Sequence, residues 1–167
     1  MSSSVTGYSR AQVAFHWSVV VLLVFQYLAH DGIVAMWEAS NENRAPPQGS
    51  AVLAYLHITS GSLVLILALA RIYLRTTRGA PSPPSDEPWI LQFVAEAVHM
   101  LIYAMILLLP VSGLTAWFLG WELAATIHIW FKNILLGAIV LHIGGGLFQH
   151  IVRRSDVLMR MFRPQSR

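Results

Sequence analysis

The chain is 167 residues long, 56% hydrophobic and only 11% charged, with a formal net charge of +3. A soluble domain carries about a quarter charged residues, so this composition excludes that class and points to the membrane. Cysteine is absent, which excludes thiolate-held clusters, disulfides and covalent c-type haem attachment.

Four apolar stretches reach spanning length, covering about 11–30, 53–74, 98–119 and 123–152. They are continuous rather than alternating, so they predict helices and not a barrel. The expected fold is all-α: an integral membrane four-helix bundle running up-down-up-down, with 1–167 as a single domain. The four spans consume most of the chain, so any soluble domain is expected to come from a partner. The opening MSSSVTGYSR lacks a charged start and a small-residue cleavage site, so the first span is expected to remain as an anchor.

The connections follow in order. Residues 41–49, NENRAPPQG, predict a polar outer loop, and 79–88, GAPSPPSDEP, a stiff inner loop. Residues 89–97 predict a short interfacial helix before span three, and Pro110 with Gly113 predicts a kink within it. Trp17, Trp89, Trp117, Trp121 and Trp130 fall near the expected interfaces, as an aromatic belt requires.

Arginine sets the orientation. Arg10, Arg71, Arg75, Arg78, Arg153, Arg154, Arg160, Arg163 and Arg167 all fall on one side, which the positive-inside rule makes cytoplasmic for both termini. The opposite loops hold only Arg44 and Lys132, against Asp31, Glu38, Glu42 and Glu122. These basic residues orient the chain; they form no patch for nucleic acid.

Seven histidines in so apolar a chain are many, and ionisable groups inside a bilayer are functional by default. His128 and His142 stand fourteen residues apart, which returns both to nearly the same helix face about 21 Å apart. His16 lies six residues inside Arg10 and His142 eleven before Arg153, or roughly 9 Å and 16 Å deep on the inner side. His57 and His128 open their spans on the outer side. The depths therefore pair His16 with His142 and His57 with His128. Imidazole is a common haem-iron ligand, and two of them fill both axial positions, which leaves outer-sphere electron transfer as the chemistry. A histidine bonded across helices or to interfacial water is the plainer alternative, and it explains one such residue better than four at matched depths.

The remaining polar groups are less specific. His99 sits shallow at the inner start of span three, suited to a haem propionate or a quinone headgroup. Arg71 returns to the face of His57 at the inner end and can pair with a propionate or serve only as a positive-inside anchor. His150 and Gln149 are candidates for a quinone pocket, with a snorkelling interfacial role for His150 equally open. His30 is expected as a solvated tip. Lys132 can meet an outer propionate or steer an anion. Gly61 and Gly144 to Gly146 permit close approach of a helix or of a flat macrocycle.

YSRAQVAFHW, LHITSG, ARIYLR, HMLIYAMILLLPVSG, the fourteen-spaced histidine pair and the tail LMRMFRP together resemble the bacterial cytochrome b561 family over nearly the whole chain. The chain is most similar to its superoxide:ubiquinone oxidoreductase members. The resemblance implies two haem b groups ligated by His16, His57, His128 and His142. It also implies a bacterial inner-membrane location, and electrons moving between a periplasmic donor, superoxide among them, and ubiquinone. The acidic outer loops depart from what capture of an anion favours. They suit the other role that distant relatives imply, a cytochrome b subunit relaying electrons for a dehydrogenase or hydrogenase.

Overall fold

The computed structural model describes residues 7–165; Arg167 and residues 1–6 of the expected inner N-terminus lie outside the described residues. Five α-helices follow one another: α1 (Arg10–Leu28), α2 (His30–Asn41), α3 (Ser50–Arg78), α4 (Trp89–Leu119) and α5 (Glu122–Ile151). A short 3-10 turn, Met159–Met161, closes the chain, and no strand occurs among the described residues. Helices α1, α3, α4 and α5 are long and apolar enough to cross a membrane.

Local sequence explains the helix starts. Ser9 caps α1 in a capping box: its hydroxyl accepts from the Gln12 N–H, and its own N–H donates to Gln12 Oε1 at 2.9 Å. The same Gln12 side chain donates to the Gly79 carbonyl at 3.0 Å, tying the start of α1 to the inner loop. Residues 89–97 are not a separate interfacial helix. With no glycine or proline between Trp89 and Leu109, nothing interrupts the backbone ladder, and α4 runs as one helix through Pro110.

Helix α2 was not foreseen, because its charged and polar residues mask a face formed by Ile33, Val34 and Trp37. It begins directly after α1 and lies tightly on α3. A Cβ built at Gly32 would stand 2.2 Å from Leu53 Cβ, so only glycine admits this approach.

The molecule is apolar outside. Leu28, Tyr73, Phe93, Leu119 and Val140 are all exposed, an arrangement that requires lipid around the helices. The small core consists of Val64 and Ala68 from α3, Met105 and Ile106 from α4, and Leu135 from α5. Leu135 lies midway along α5 between His128 and His142, so an apolar layer separates an outer histidine tier from an inner one.

At one end of the bundle Tyr8, the segment after α5 and the inner loop interlock. The Gln165 N–H donates to the Tyr8 carbonyl at 2.9 Å, Arg160 to the Ser82 carbonyl at 2.8 Å, and Arg153 to Asp86 at 2.9 Å. The first and last described segments, around Tyr8 and Gln165, therefore share the arginine-rich end.

Candidate functional site

The packed helix pairs are α1 with α3, α2 with α3, α3 with α4, and α4 with α5; α5 makes no comparable approach to α1 or α3. Across that separation stand the imidazoles. His16 of α1 faces His142 of α5 with ring centres 6.2 Å apart and planes at 60°. His57 of α3 faces His128 of α5 at 6.4 Å and 63°. Both pairings expected from depth bring their rings within reach of each other, and two further imidazole contacts, His30 with His57 and His99 with His142, stand beside them.

The outer pair borders a cavity of about 290 Å³, lined also by Gln26, His30, Gly61, Gly113, Trp117 and Lys132. His128 is held from one side, since its Nδ1–H donates to the Leu109 carbonyl at 2.9 Å, with Ser112 Oγ at 3.3 Å. That bond fixes the tautomer and leaves Nε2 as the nitrogen with a lone pair, the arrangement that orients a ligating histidine. Gly113 makes room for the ring: a Cβ there would stand 2.8 Å from His128 Cε1. On the opposite side Gln26 donates to the His57 carbonyl at 2.7 Å and to Ser60 Oγ at 2.9 Å, and Tyr27 donates to the Lys132 carbonyl at 2.7 Å. Helix α1 thereby fixes both helices that carry the outer pair.

His30 is not a solvated tip. Helix α2 folds it over the outer cavity, where its ring centre lies 6.2 Å from that of His57 and its Nε2 accepts from Lys132 Nζ at 3.1 Å. Burial, and then the Lys132 charge, hold His30 below the usual imidazole range, so it stays neutral. Arg44 pairs with Glu42 and, at 3.8 Å, with Glu38. Among the described residues no carboxylate lies within ion-pair distance of Lys132.

At the inner tier His99 lies beside His142, with ring centres 4.9 Å apart and planes at 81°. Its Nδ1–H donates to the Ala95 carbonyl at 2.6 Å, one turn back on its own helix. Arg71 stands 5.9 Å over the Tyr103 ring and within electrostatic reach of His16 and His142. Cβ atoms at Gly144 and Gly145 would meet nothing from another element within 4 Å among the described residues, so no described helix packs closely on them. Gln149 bonds Glu87 and accepts from Ser155 Oγ at 2.9 Å, which makes it part of the interlocked end. His150 is exposed. Of the tryptophans, Trp89, Trp121 and Trp130 face outward as a belt would. Trp117 instead lines the outer cavity, and the Trp17 N–H donates to the Met161 carbonyl.

Residues 7–164 match the model of the family described as prokaryotic cytochrome b561. The chain belongs to that family. It is 33% identical over 162 residues to "Cytochrome b562" of Cereibacter sphaeroides, covering 95% of this chain and 97% of that protein. It is 25% identical over 179 residues to "Cytochrome b561 homolog 1" of Escherichia coli K12, covering 92% and 96% respectively. It is 25% identical over 176 residues to "Probable superoxide oxidase CybB" of Yersinia pestis, covering 92% and 94%. This member is thus a multi-pass membrane protein of haem b electron transfer.

The residues fit that group. An imidazole nitrogen binds a metal at roughly 2 Å and stands about 1.1 Å from its ring centre, so two imidazoles trans on one iron have centres about 6.3 Å apart. Both facing pairs have that spacing. His99 and His142 are too close for it. His30 meets the spacing from His57, but its Nε2 is engaged by Lys132. The buried Nδ1 of His57 has no hydrogen-bond partner among the described residues. Leaving such an atom unpaired costs about 1–3 kcal/mol, which a bond at that nitrogen itself would offset. Among the described residues no three His, Asp or Glu side chains converge on a bare metal ion. The donor set suits a macrocycle that brings its own four nitrogens.

Proposed function

We propose that this cytochrome b561 family member carries electrons across the bacterial inner membrane, between a periplasmic donor and ubiquinone on the cytoplasmic half. The observation that supports this most strongly is the pair of matched imidazole separations, one in each half of a bundle with its arginines at one end. His57 and His128 are the proposed axial ligands of an outer haem b, and His16 and His142 those of an inner one. A haem ligated on both faces supplies one-electron, outer-sphere transfer.

The protein's own groups then divide the work. Leu109 orients His128 through its carbonyl. The core layer around Leu135 excludes water between the tiers. At the inner end His99, with Nδ1–H engaged, keeps Nε2 as the nitrogen that can exchange a proton with a quinone. Arg71 supplies positive charge for a propionate or quinone oxygen. Gln149 and His150 lie at the same end as outlying candidates for the quinone pocket.

For the donor, superoxide is favoured by the placement of Lys132, a cation on the outer cavity with a neutral histidine as partner, while Glu38 of the same lining is paired with Arg44. Two superoxide anions each lose one electron and leave as dioxygen, and one ubiquinone takes both electrons with two protons. A relay subunit for a partner dehydrogenase is the second reading, favoured by the exposed acids Glu38, Glu42 and Glu122 around the outer face. Stopped-flow mixing of the purified protein with superoxide, in liposomes containing ubiquinone, separates them. Rapid reduction followed by quinol formation supports the oxidase; absence of reduction, with a soluble redox protein co-purifying, supports the relay.

A further inference from the structure

The tail after α5 does more than close the inner end. The Phe162 ring packs on Trp17 with centres 4.9 Å apart and planes at 43°. Trp17 in turn stands edge-on to His16 at 5.4 Å and 81°. The Trp17 indole N–H donates to the Met161 carbonyl at 2.8 Å, so the ring is gripped at its polar edge as well as on its face. The tail is anchored independently, by Arg160 to the Ser82 carbonyl and by the Gln165 N–H to the Tyr8 carbonyl.

Sequence neighbours on a helix diverge by about 100°, so Trp17 cannot share the bundle-facing side of His16. It lies against the imidazole sideways and limits rotation of that ring about its side-chain bonds. An indole held at two points has little freedom of its own. The outer pair has a different support, a backbone carbonyl on His128.

We propose that the C-terminal segment positions His16 through Trp17, so that the chain's own tail sets the orientation of one inner imidazole against His142. This rests on the reading of His16 and His142 as the inner haem's axial ligands. In a bis-imidazole haem the angle between ligand planes governs the low-spin EPR signature and contributes to the potential. The inner signal is therefore tuned from the tail and the outer one is not.

The test uses the purified full-length protein with both haems. Trp17→Leu and Phe162→Ala are expected to shift the inner haem's EPR position and midpoint potential while the outer haem's stay at wild-type values. Trp17→Phe, which keeps an aromatic edge against His16, is expected to shift them less than Trp17→Leu. An inner signal coincident with wild type in both variants overturns the proposal, as does an equal shift of both haems, which indicates general loosening. Should Trp17→Leu fail to fold, Phe162→Ala carries the test, because that ring is 54% exposed. His142→Ala serves as the separate control. If it fails to remove the inner signal alone, the ligand assignment is at fault rather than the tail.

Discussion

Gly113→Ala tests the outer site with one methyl group. The added Cβ would stand 2.8 Å from His128 Cε1 and 2.9 Å from Nδ1, well inside the roughly 3.5–4.0 Å at which carbon atoms rest. Either α4 and α5 separate or the ring moves, and the ring is pinned by its bond to the Leu109 carbonyl. Overpacking of this kind costs about 1–3 kcal/mol. Because the strain falls on a proposed axial ligand, the expected result is roughly ten- to a hundredfold weaker retention of the outer haem. Pyridine haemochrome analysis should give fewer than two haems per chain after purification, and redox titration should show the outer component diminished with the inner one intact. Two fully retained haems with an unchanged outer potential would refute the claim that Gly113 exists to seat His128.

Replacing ligands should separate the tiers: His142→Ala loses the inner haem and keeps the outer, while His57→Ala does the reverse, both read by haem stoichiometry and redox titration. Leu135→Ala removes the largest fully buried side chain. It should destabilise the bundle by about 2–5 kcal/mol, seen as a lowered melting temperature in detergent with both haems bound at low temperature. Bonds from Arg160 hold the Asp156 carboxyl below its ordinary value of 3.8. Its stabilisation of the tail is therefore complete above that value and fades as pH falls through the lower folded one. Amide exchange at Arg160 and Arg163, corrected for intrinsic rate, should quicken below that window, and Asp156→Asn should abolish the dependence.

The four spans, the gathering of the arginines at one end, and the approach of His16 to His142 and of His57 to His128 were legible in the chain alone. Lipid imposes long unbroken apolar runs, helical rise converts sequence distance into depth, and a buried imidazole among aliphatic residues is conspicuous. What sequence could not decide was sideways placement. Helix α2 escaped because a short helix on a membrane surface has a mixed composition, and its value lies in the single close approach of Gly32 to Leu53. His30 looked like a tip until that helix turned it over the cavity and onto Lys132. The tail's grip on Trp17 and the inner loop's bond to Gln149 were likewise invisible in the sequence. Such contacts join residues 62 to 144 positions apart. No local periodicity encodes them, since they depend on which helix ends the bundle brings together.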